Sequence, residues 1–185
     1  MGRLAMRILE DHDSLEVVAV NEPGASADTM ALLTAVDSVH GAWGVACQGE
    51  DGVLWIDDRE VVYTSFDEPS KIPWSELGVD VVLDCSGEYR TVDSLEPHLQ
   101  QGAKRVVVSA PVKGGAPNIV MGVNESSAAL DGAKVVSAAS CTTNCLAPFV
   151  NVLHQALGIE RGAVTTLHAP TNLSLIHISE PTRPY

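Results

Sequence analysis

Four short apolar runs, each ending in small or polar residues, alternate along this chain with segments of helical spacing. The runs are VVAV before Asn21, VVL before Asp84, VVVSA from Val106 and VVS from Val135. Continuous apolar runs of this length are typical of parallel strands that are buried on both faces. The alternation therefore predicts an α/β fold built around a doubly wound parallel sheet.

The remaining periodicity predicts where helices and edge strands lie. Apolar spacing predicts helices over 4–9, 27–35, 92–101 and 141–157, and Gly102 and Gly158 close the last two. Residues 45–66 form short strand-like runs broken by GEDG and DDRE, which predicts antiparallel hairpins at an edge of the main sheet.

Charge and cysteine content limit the partners and the compartment. Eleven basic and twenty-four acidic side chains give a formal net charge of −13, so nucleic acid and anionic membrane surfaces are not expected partners. No long apolar segment or signal pattern is present, which predicts a cytoplasmic protein. The four cysteines contain no CxxC pair, so we expect reduced thiols and no metal site.

Several residues with binding chemistry follow the predicted strands. Glu22, Ser86, Gly87, Ser109 and Cys141 all stand at strand ends, where doubly wound sheets bind ligands. Small and polar residues also end strands for reasons of turn geometry, so any one of these positions alone indicates little. Glu22 lies about twenty residues after Gly2, the spacing at which a dinucleotide fold places an acid on the ribose hydroxyls and favours NAD over NADP.

The segment SCTTNC carries the most specific chemistry. Cys141 begins a predicted helix, whose positive end favours the thiolate and makes this cysteine a nucleophile. Ser140 and Thr142 stand beside it with hydroxyls suited to an anionic substrate group. A structural cysteine pair with Cys145 is the alternative. His168, at the end of the apolar run VTTL, is the candidate base.

In this order the chain contains NEP, DSVHG, IPW, GVD, GAKRVVVSAP, GVN, ASCTTNCLAP and TTLH, and it resembles glyceraldehyde-3-phosphate dehydrogenase from Met1 to about Asn172. The resemblance implies that Cys141 attacks the aldehyde with His168 as base. It implies that a hydride passes to NAD+ and that inorganic phosphate cleaves the thioester to 1,3-bisphosphoglycerate, in glycolysis or gluconeogenesis. Ser140, Thr142 and Thr171 match positions that bind phosphate.

The resemblance also implies a cofactor site and an assembly. Met1, Gly2, Glu22, Ser86, Gly87 and Ser109 match cofactor contacts, and the full-length parent is expected to be a homotetramer. Residues 1–140 are expected to form a Rossmann-like NAD-binding domain that lacks its first strand and most of its glycine loop. Residues 141–172 are expected to begin an α+β catalytic domain.

Three departures from the family pattern leave alternatives open. Glu22 replaces the usual Asp, and Pro170 replaces the aromatic residue of HAYT or HSYT. Residues 173–185 (LSLIHISEPTRPY) resemble a translated sequencing adapter, so we expect an artefactual tail and a fragment that is inactive as it stands. An arsenate-detoxification relative, an erythrose-4-phosphate dehydrogenase and a non-catalytic dinucleotide-binding module are the alternative interpretations.

Overall fold

The computed structural model describes residues 1–168. It divides into two compact units, Met1–Pro148 and the residues from Phe149 onward. The elements in chain order are α1 (Gly2–Leu9), β1 (Ala19–Asn21), α2 (Ala27–Ala35), β2 (Val36–Asp37), β3 (Gly41–Ala42), β4 (Cys47–Glu50), β5 (Val53–Ile56), β6 (Arg59–Thr64), β7 (Val81–Asp84), α3 (Val92–Gln100), β8 (Arg105–Val108), β9 (Val135–Ser137) and α4 (Cys141–Leu157).

Three of the predicted apolar runs form one parallel sheet in the order β7-β8-β9. Val82, Val106 and Val135 share a register and point into the same core. Leu95 of α3 is fully buried in that core, together with Trp74 from the loop before β7. Within residues 1–168 the other face of β7, which carries Val81 and Leu83, is exposed. The apolar run predicted burial on both faces of this strand, and the structure corrects that expectation.

The first apolar run belongs to a second sheet, whose order is β1-β6-β5-β4. Strands β4, β5 and β6 are antiparallel, as the hairpin pattern predicted. Strand β6, however, runs parallel to β1, with Ala19 opposite Val62 and Asn21 opposite Thr64. The last strand of the hairpin region is therefore part of the main fold and not an edge addition, which corrects the expectation drawn from local sequence.

The two sheets follow the strand order of a doubly wound fold. In that order, 3-2-1-4-5-6, the first strand lies between the second and the fourth. Strands β6 and β1 take positions three and two, and β7, β8 and β9 take positions four to six. Strands β1 and β7 each stand at an edge, and residues 1–168 supply no strand between them. The predicted Rossmann-like α/β class, without its first strand, is confirmed.

Helix α1 packs against α2 and stabilises its C-terminal end. Arg7 is buried, and its Nε donates to the Thr34 carbonyl at 2.9 Å. Arg3, one turn earlier, donates to the Leu33 carbonyl. Two cations at the end of α2 satisfy its last carbonyls and oppose the negative end of its dipole. Among the helices of residues 1–168, none combines the length and the apolar content that a membrane span needs.

Gly49 of β4 lies close to the start of α2, in the mixed sheet β1-β6-β5-β4, and it provides a test of the fold. A Cβ added there would lie 2.2 Å from the carbonyl carbon and oxygen of Ala27, which are backbone atoms at the start of α2. We expect Gly49→Ala to lower the free energy of unfolding by about 1–3 kcal/mol, since overpacked sites cost that much. Gly162→Ala is the control, because a Cβ at Gly162 meets nothing within 4 Å. Equal urea midpoints for the two variants would contradict this packing.

Candidate active site

The carboxyl ends of β7, β8 and β9 lie at one edge of the parallel sheet. Asp84, Val108 and Ser137 are in register there. The Ser109 N–H donates to the Asp84 carbonyl at 2.9 Å, and the Ala138 N–H donates to the Val108 carbonyl at 2.8 Å. Each loop therefore leaves its strand beside the end of the neighbouring strand. Residues that follow these strands are brought to a common edge, as the sequence pattern predicted.

The start of the chain meets the end of β7. A Cβ added to Gly2 would lie 3.3 Å from the Cβ of Cys85, so a larger residue at this helix start would fit only if Cys85 shifted by a few tenths of an ångström. The Cys85 side chain is hydrogen bonded to Ser109. Burial raises the pKa of the Cys85 thiol, although the Ser109 hydrogen bond and the Met1 amino group oppose that rise. Met1, Gly2 and Ser109, three of the predicted cofactor contacts, are therefore close together around Cys85.

Ser86 follows Cys85, and its hydroxyl proton is already used in a hydrogen bond within the protein. It donates to Asp84 Oδ1 at 2.8 Å and accepts from the Glu88 N–H at 3.2 Å. A hydroxyl has one proton and two lone pairs, so Ser86 has one lone pair left for a ligand. The next residue, Gly87, has a φ of 76°, which turns the chain away from the strand. The geometry suits a ligand that donates a hydrogen bond, such as a ribose hydroxyl.

Three buried side chains, linked to Ser86 through Asp84, were not predicted from the sequence. The Trp74 Nε1–H donates to His98 Nδ1 at 3.0 Å, and His98 Nε2 lies 3.6 Å from Asp84 Oδ2. All three side chains are buried. Because Nδ1 accepts from the indole, a neutral His98 carries its proton on Nε2, facing the carboxylate. Nδ1 is hydrogen bonded, whereas the buried Nε2 has no hydrogen-bond partner within residues 1–168. The helical spacing of His98 from Leu95 is the sequence signal of its burial.

Glu22 stands directly after β1, beyond the end of the mixed sheet. Its N–H donates to the Thr64 carbonyl at 2.9 Å, and its Oε1 accepts from the Gly24 N–H at 2.8 Å. The Tyr63 hydroxyl lies 3.2 Å from the Glu22 carbonyl. Within residues 1–168 its second carboxylate oxygen accepts no hydrogen bond. The half-buried carboxylate is therefore fixed through Oε1, and its Oε2 can accept a hydrogen bond from a ligand.

The neighbouring Asn21 has a structural role that the sequence did not reveal. Its Oδ1 accepts from the Phe66 N–H at 2.9 Å and from the Thr64 hydroxyl at 2.9 Å. Its Nδ2 donates to the Phe66 carbonyl at 3.0 Å. This side chain joins the ends of β1 and β6, and it thereby fixes the backbone that carries Glu22.

Cys141 is the first residue of α4, and its side chain is exposed. Ser140 precedes it and caps the helix, since the Ser140 Oγ accepts from the Thr143 N–H at 3.0 Å. The same oxygen lies 2.9 Å from the Thr142 Oγ1 and 2.7 Å from the Thr143 Oγ1. A thiol at this position feels the positive end of the helix, which favours the thiolate. Three hydroxyls accompany it at the same helix end.

The backbone before Cys141 is strained. Ala139 has a φ of 62°, in the left-handed region, and its side chain is buried. That region costs a non-glycine residue about 1–2 kcal/mol, so surrounding contacts must hold Ala139 there. Of all residues in the described chain other than glycine, only Ala139 and Asp57 have a positive φ. Strain of this kind clusters at functional sites.

The remaining predicted site residues are His168, in the second compact unit, and Thr171. His168 is exposed at the end of segment 158–168, which has no regular secondary structure. Cys141 belongs to the first compact unit and His168 to the second, so their pairing stays a prediction. Thr171 lies outside the described residues. Cys145 is exposed one turn after Cys141, and residues 1–168 contain no cluster of side chains that could hold a metal ion.

Two family models match the chain. Residues 1–92 match the model described as "Glyceraldehyde 3-phosphate dehydrogenase, NAD binding domain", and residues 140–178 match the model of the C-terminal domain of the same family. The second match begins at Ser140, immediately before the exposed thiol.

Curated relatives agree with the family models. The chain is 45% identical over 172 residues to glyceraldehyde-3-phosphate dehydrogenase 3 of Nostoc sp., covering 93% of this chain and 51% of the relative. It is 40% identical to glyceraldehyde-3-phosphate dehydrogenase 2 of Saccharomyces cerevisiae, covering 92% and 51%. A chloroplastic glyceraldehyde-3-phosphate dehydrogenase of Arabidopsis thaliana is 44% identical, covering 92% and 40%. The chain thus spans about half the length of the relatives it matches. It belongs to the glyceraldehyde-3-phosphate dehydrogenase family.

Proposed function

We propose that the full-length protein oxidises glyceraldehyde 3-phosphate with NAD+ and inorganic phosphate, and that Cys141 is its covalent nucleophile. The observation that carries this proposal is an exposed thiol at the first position of α4, which residues 138–140 connect to the carboxyl end of β9. Ligands bind beyond this edge in doubly wound sheets. A helix N-terminus there supports both a thiolate and a phosphorylated substrate.

Residues at the ends of β1 and β7 fit NAD as the cofactor. Glu22 presents a carboxylate oxygen suited to ribose hydroxyls, and Ser86 presents a single lone pair suited to a hydrogen-bond donor. Met1, Gly2, Gly87 and Ser109 complete the proposed set. When bound, NAD+ supplies the acceptor for the hydride that leaves the substrate carbon.

The chain's own residues have defined parts in the proposed reaction. The Cys141 thiolate adds to the aldehyde carbon, and the sulfur–carbon bond forms as the carbonyl oxygen gains charge. His168 is proposed to take the proton of the Cys141 thiol before this step, which leaves the thiolate that attacks. Once the substrate carbon is oxidised to a thioester, an oxygen of inorganic phosphate adds to that carbon and the sulfur–carbon bond breaks. Ser140, Thr142 and Thr171 are proposed to bind the phosphate groups.

Three further assignments are part of the proposal. The catalytic domain is proposed to begin at Cys141, after a nucleotide-binding domain over residues 1–140. The full-length protein is proposed to be a homotetramer. A cytoplasmic location is proposed, supported by a similar cytosolic glyceraldehyde-3-phosphate dehydrogenase of Gracilaria gracilis, and the chloroplastic relatives mark the alternative.

Iodoacetamide labelling of the chain tests Cys141 as the nucleophile. Cys145 is the matched comparison, because it is exposed on the same helix but lies one turn from the N-terminus. We expect Cys141 to react about tenfold faster than Cys145 at pH 7, since the helix dipole acts within the first turn. Burial raises the pKa of both Cys47 and Cys85. At pH 7 these two thiols should therefore label more slowly than Cys141, and their rates should increase as the pH rises. Equal rates at Cys141 and Cys145, measured by peptide mass spectrometry, would oppose the assignment.

Substitution in a chain extended to the length of the relatives tests the reaction. We expect Cys141→Ser to reduce NADH production by more than about a thousandfold, because the covalent step is lost. Cys145→Ser is the control and should keep most of the rate. Product formation that requires phosphate supports the glyceraldehyde-3-phosphate reaction, whereas phosphate-independent oxidation of erythrose 4-phosphate would favour that alternative.

Glu22 tests the cofactor assignment in the same extended chain. Glu22→Gln keeps the oxygen that accepts from Gly24 and removes the negative charge. We expect the ratio of kcat/KM for NAD over NADP to fall by about tenfold, the effect of losing one charged hydrogen bond and the repulsion of a 2′-phosphate. Glu60→Gln, at an exposed position on β6, is the control. An unchanged ratio would show that Glu22 does not contact the ribose.

A further inference from the structure

One peptide unit, between Ala138 and Ala139, is fixed at both ends by side chains. The Ala139 N–H donates to the Ser137 hydroxyl at 3.0 Å. The Ala138 carbonyl accepts from the Asn144 Nδ2 at 2.7 Å. The orientation of this peptide plane sets the φ of Ala139. Ser140 and Cys141 are the next two residues of the chain. The two hydrogen bonds therefore fix the backbone that leads into the nucleophile.

Ser137 is itself held in one orientation. It is fully buried, and its hydroxyl lies 2.8 Å from Asn118 Oδ1 and 3.0 Å from the Ala110 carbonyl. Both of these atoms are acceptors, so the hydroxyl proton points toward them and a lone pair remains for the Ala139 N–H. The Asn124 Nδ2 donates to the Asn118 carbonyl at 2.9 Å and so holds that segment beside β9.

Asn144 acts from the opposite side, within the first turn of α4. Its Nδ2 donates to the Ser140 carbonyl at 2.9 Å as well as to the Ala138 carbonyl. Its backbone N–H also donates to the Ser140 carbonyl, at 2.9 Å. The side chain is exposed, so its removal leaves no buried cavity. Asn144 thus ties the first turn of the helix to the residues that precede it.

These contacts oppose a backbone preference. Ala139 has a φ of 62°, and an alanine without restraint returns to negative φ. Such a rotation turns the following backbone and moves Cys141 away from the first helical position. The strain at Ala139 therefore requires the two hydrogen bonds on its peptide.

We propose that Ser137 and Asn144 are positioning residues, which hold the Ala138–Ala139 peptide in the left-handed turn that places the Cys141 thiol at the start of α4. The inference rests on the proposed role of Cys141 as nucleophile. Neither residue contacts substrate in this proposal, and both act through the backbone that carries Cys141.

The test compares iodoacetamide labelling of Cys141 and Cys145 at pH 7 in variants of the 185-residue chain. We expect Ser137→Ala and Asn144→Ala each to slow Cys141 by about tenfold, the effect of one lost hydrogen bond, with little change at Cys145. Gln155→Ala, at an exposed position on the same helix, is the control and should leave both rates unchanged.

A rescue variant separates positioning from general stability. Glycine adopts positive φ without steric cost, so the double variant Ser137→Ala/Ala139→Gly should recover most of the Cys141 rate. A loss caused only by lower stability would not be restored selectively at Cys141.

The outcomes are distinguishable. If Cys141 reacts no faster than Cys145 in the unaltered chain, the nucleophile assignment fails and the proposed function fails with it. If Cys141 reacts faster in the unaltered chain and stays equally fast in Asn144→Ala, the positioning role is overturned. Because Asn144 is exposed, this second variant decides the matter even if Ser137→Ala does not fold.

Discussion

The site depends on the parallel pairing of β7, β8 and β9, because that register brings three strand ends to one edge. Asp84, Val108 and Ser137 occupy equivalent positions there, and hydrogen bonds from Ser109 and Ala138 continue the pairing past the strands. A slip of one residue in β9 turns Ser137 to the opposite face of the sheet. The Ser137 hydroxyl can then no longer accept the hydrogen bond from the Ala139 N–H.

At this edge, strands that pack on a buried core are followed by the exposed helix α4. The strand ends rest on a buried core, in which Leu95, Val106 and Val108 are almost entirely excluded from solvent. Helix α4, by contrast, has no buried residue, although much of its sequence is apolar. Hydrogen bonds give order to the start of the helix, where Cys141 lies. The cap from Ser140 and the two bonds on the Ala138–Ala139 peptide supply that order.

Local features of the fold were predictable from sequence, whereas non-local ones were not. Helix α2 has the predicted bounds, and Gly158 follows the end of α4 in a left-handed conformation, as expected of a helix terminus. The parallel pairing of β6 with β1 was missed, because the hairpin pattern describes only adjacent strands. The contact between Trp74, His98 and Asp84 joins three separate segments, and nothing in the spacing of those residues indicates it. Positive φ at Ala139 has no sequence signal, since alanine rarely adopts it.

The central claim is that the Cys141 sulfur forms the covalent bond to the substrate carbon. Its most direct test is to mix the chain, extended to the length of its relatives, with glyceraldehyde 3-phosphate and NAD+ while phosphate is withheld. Peptide mass spectrometry after acid quenching should then find a phosphoglyceroyl thioester on Cys141 that disappears when phosphate is added. NADH formation with no acyl group on Cys141, or with the acyl group on Cys145, would contradict the account.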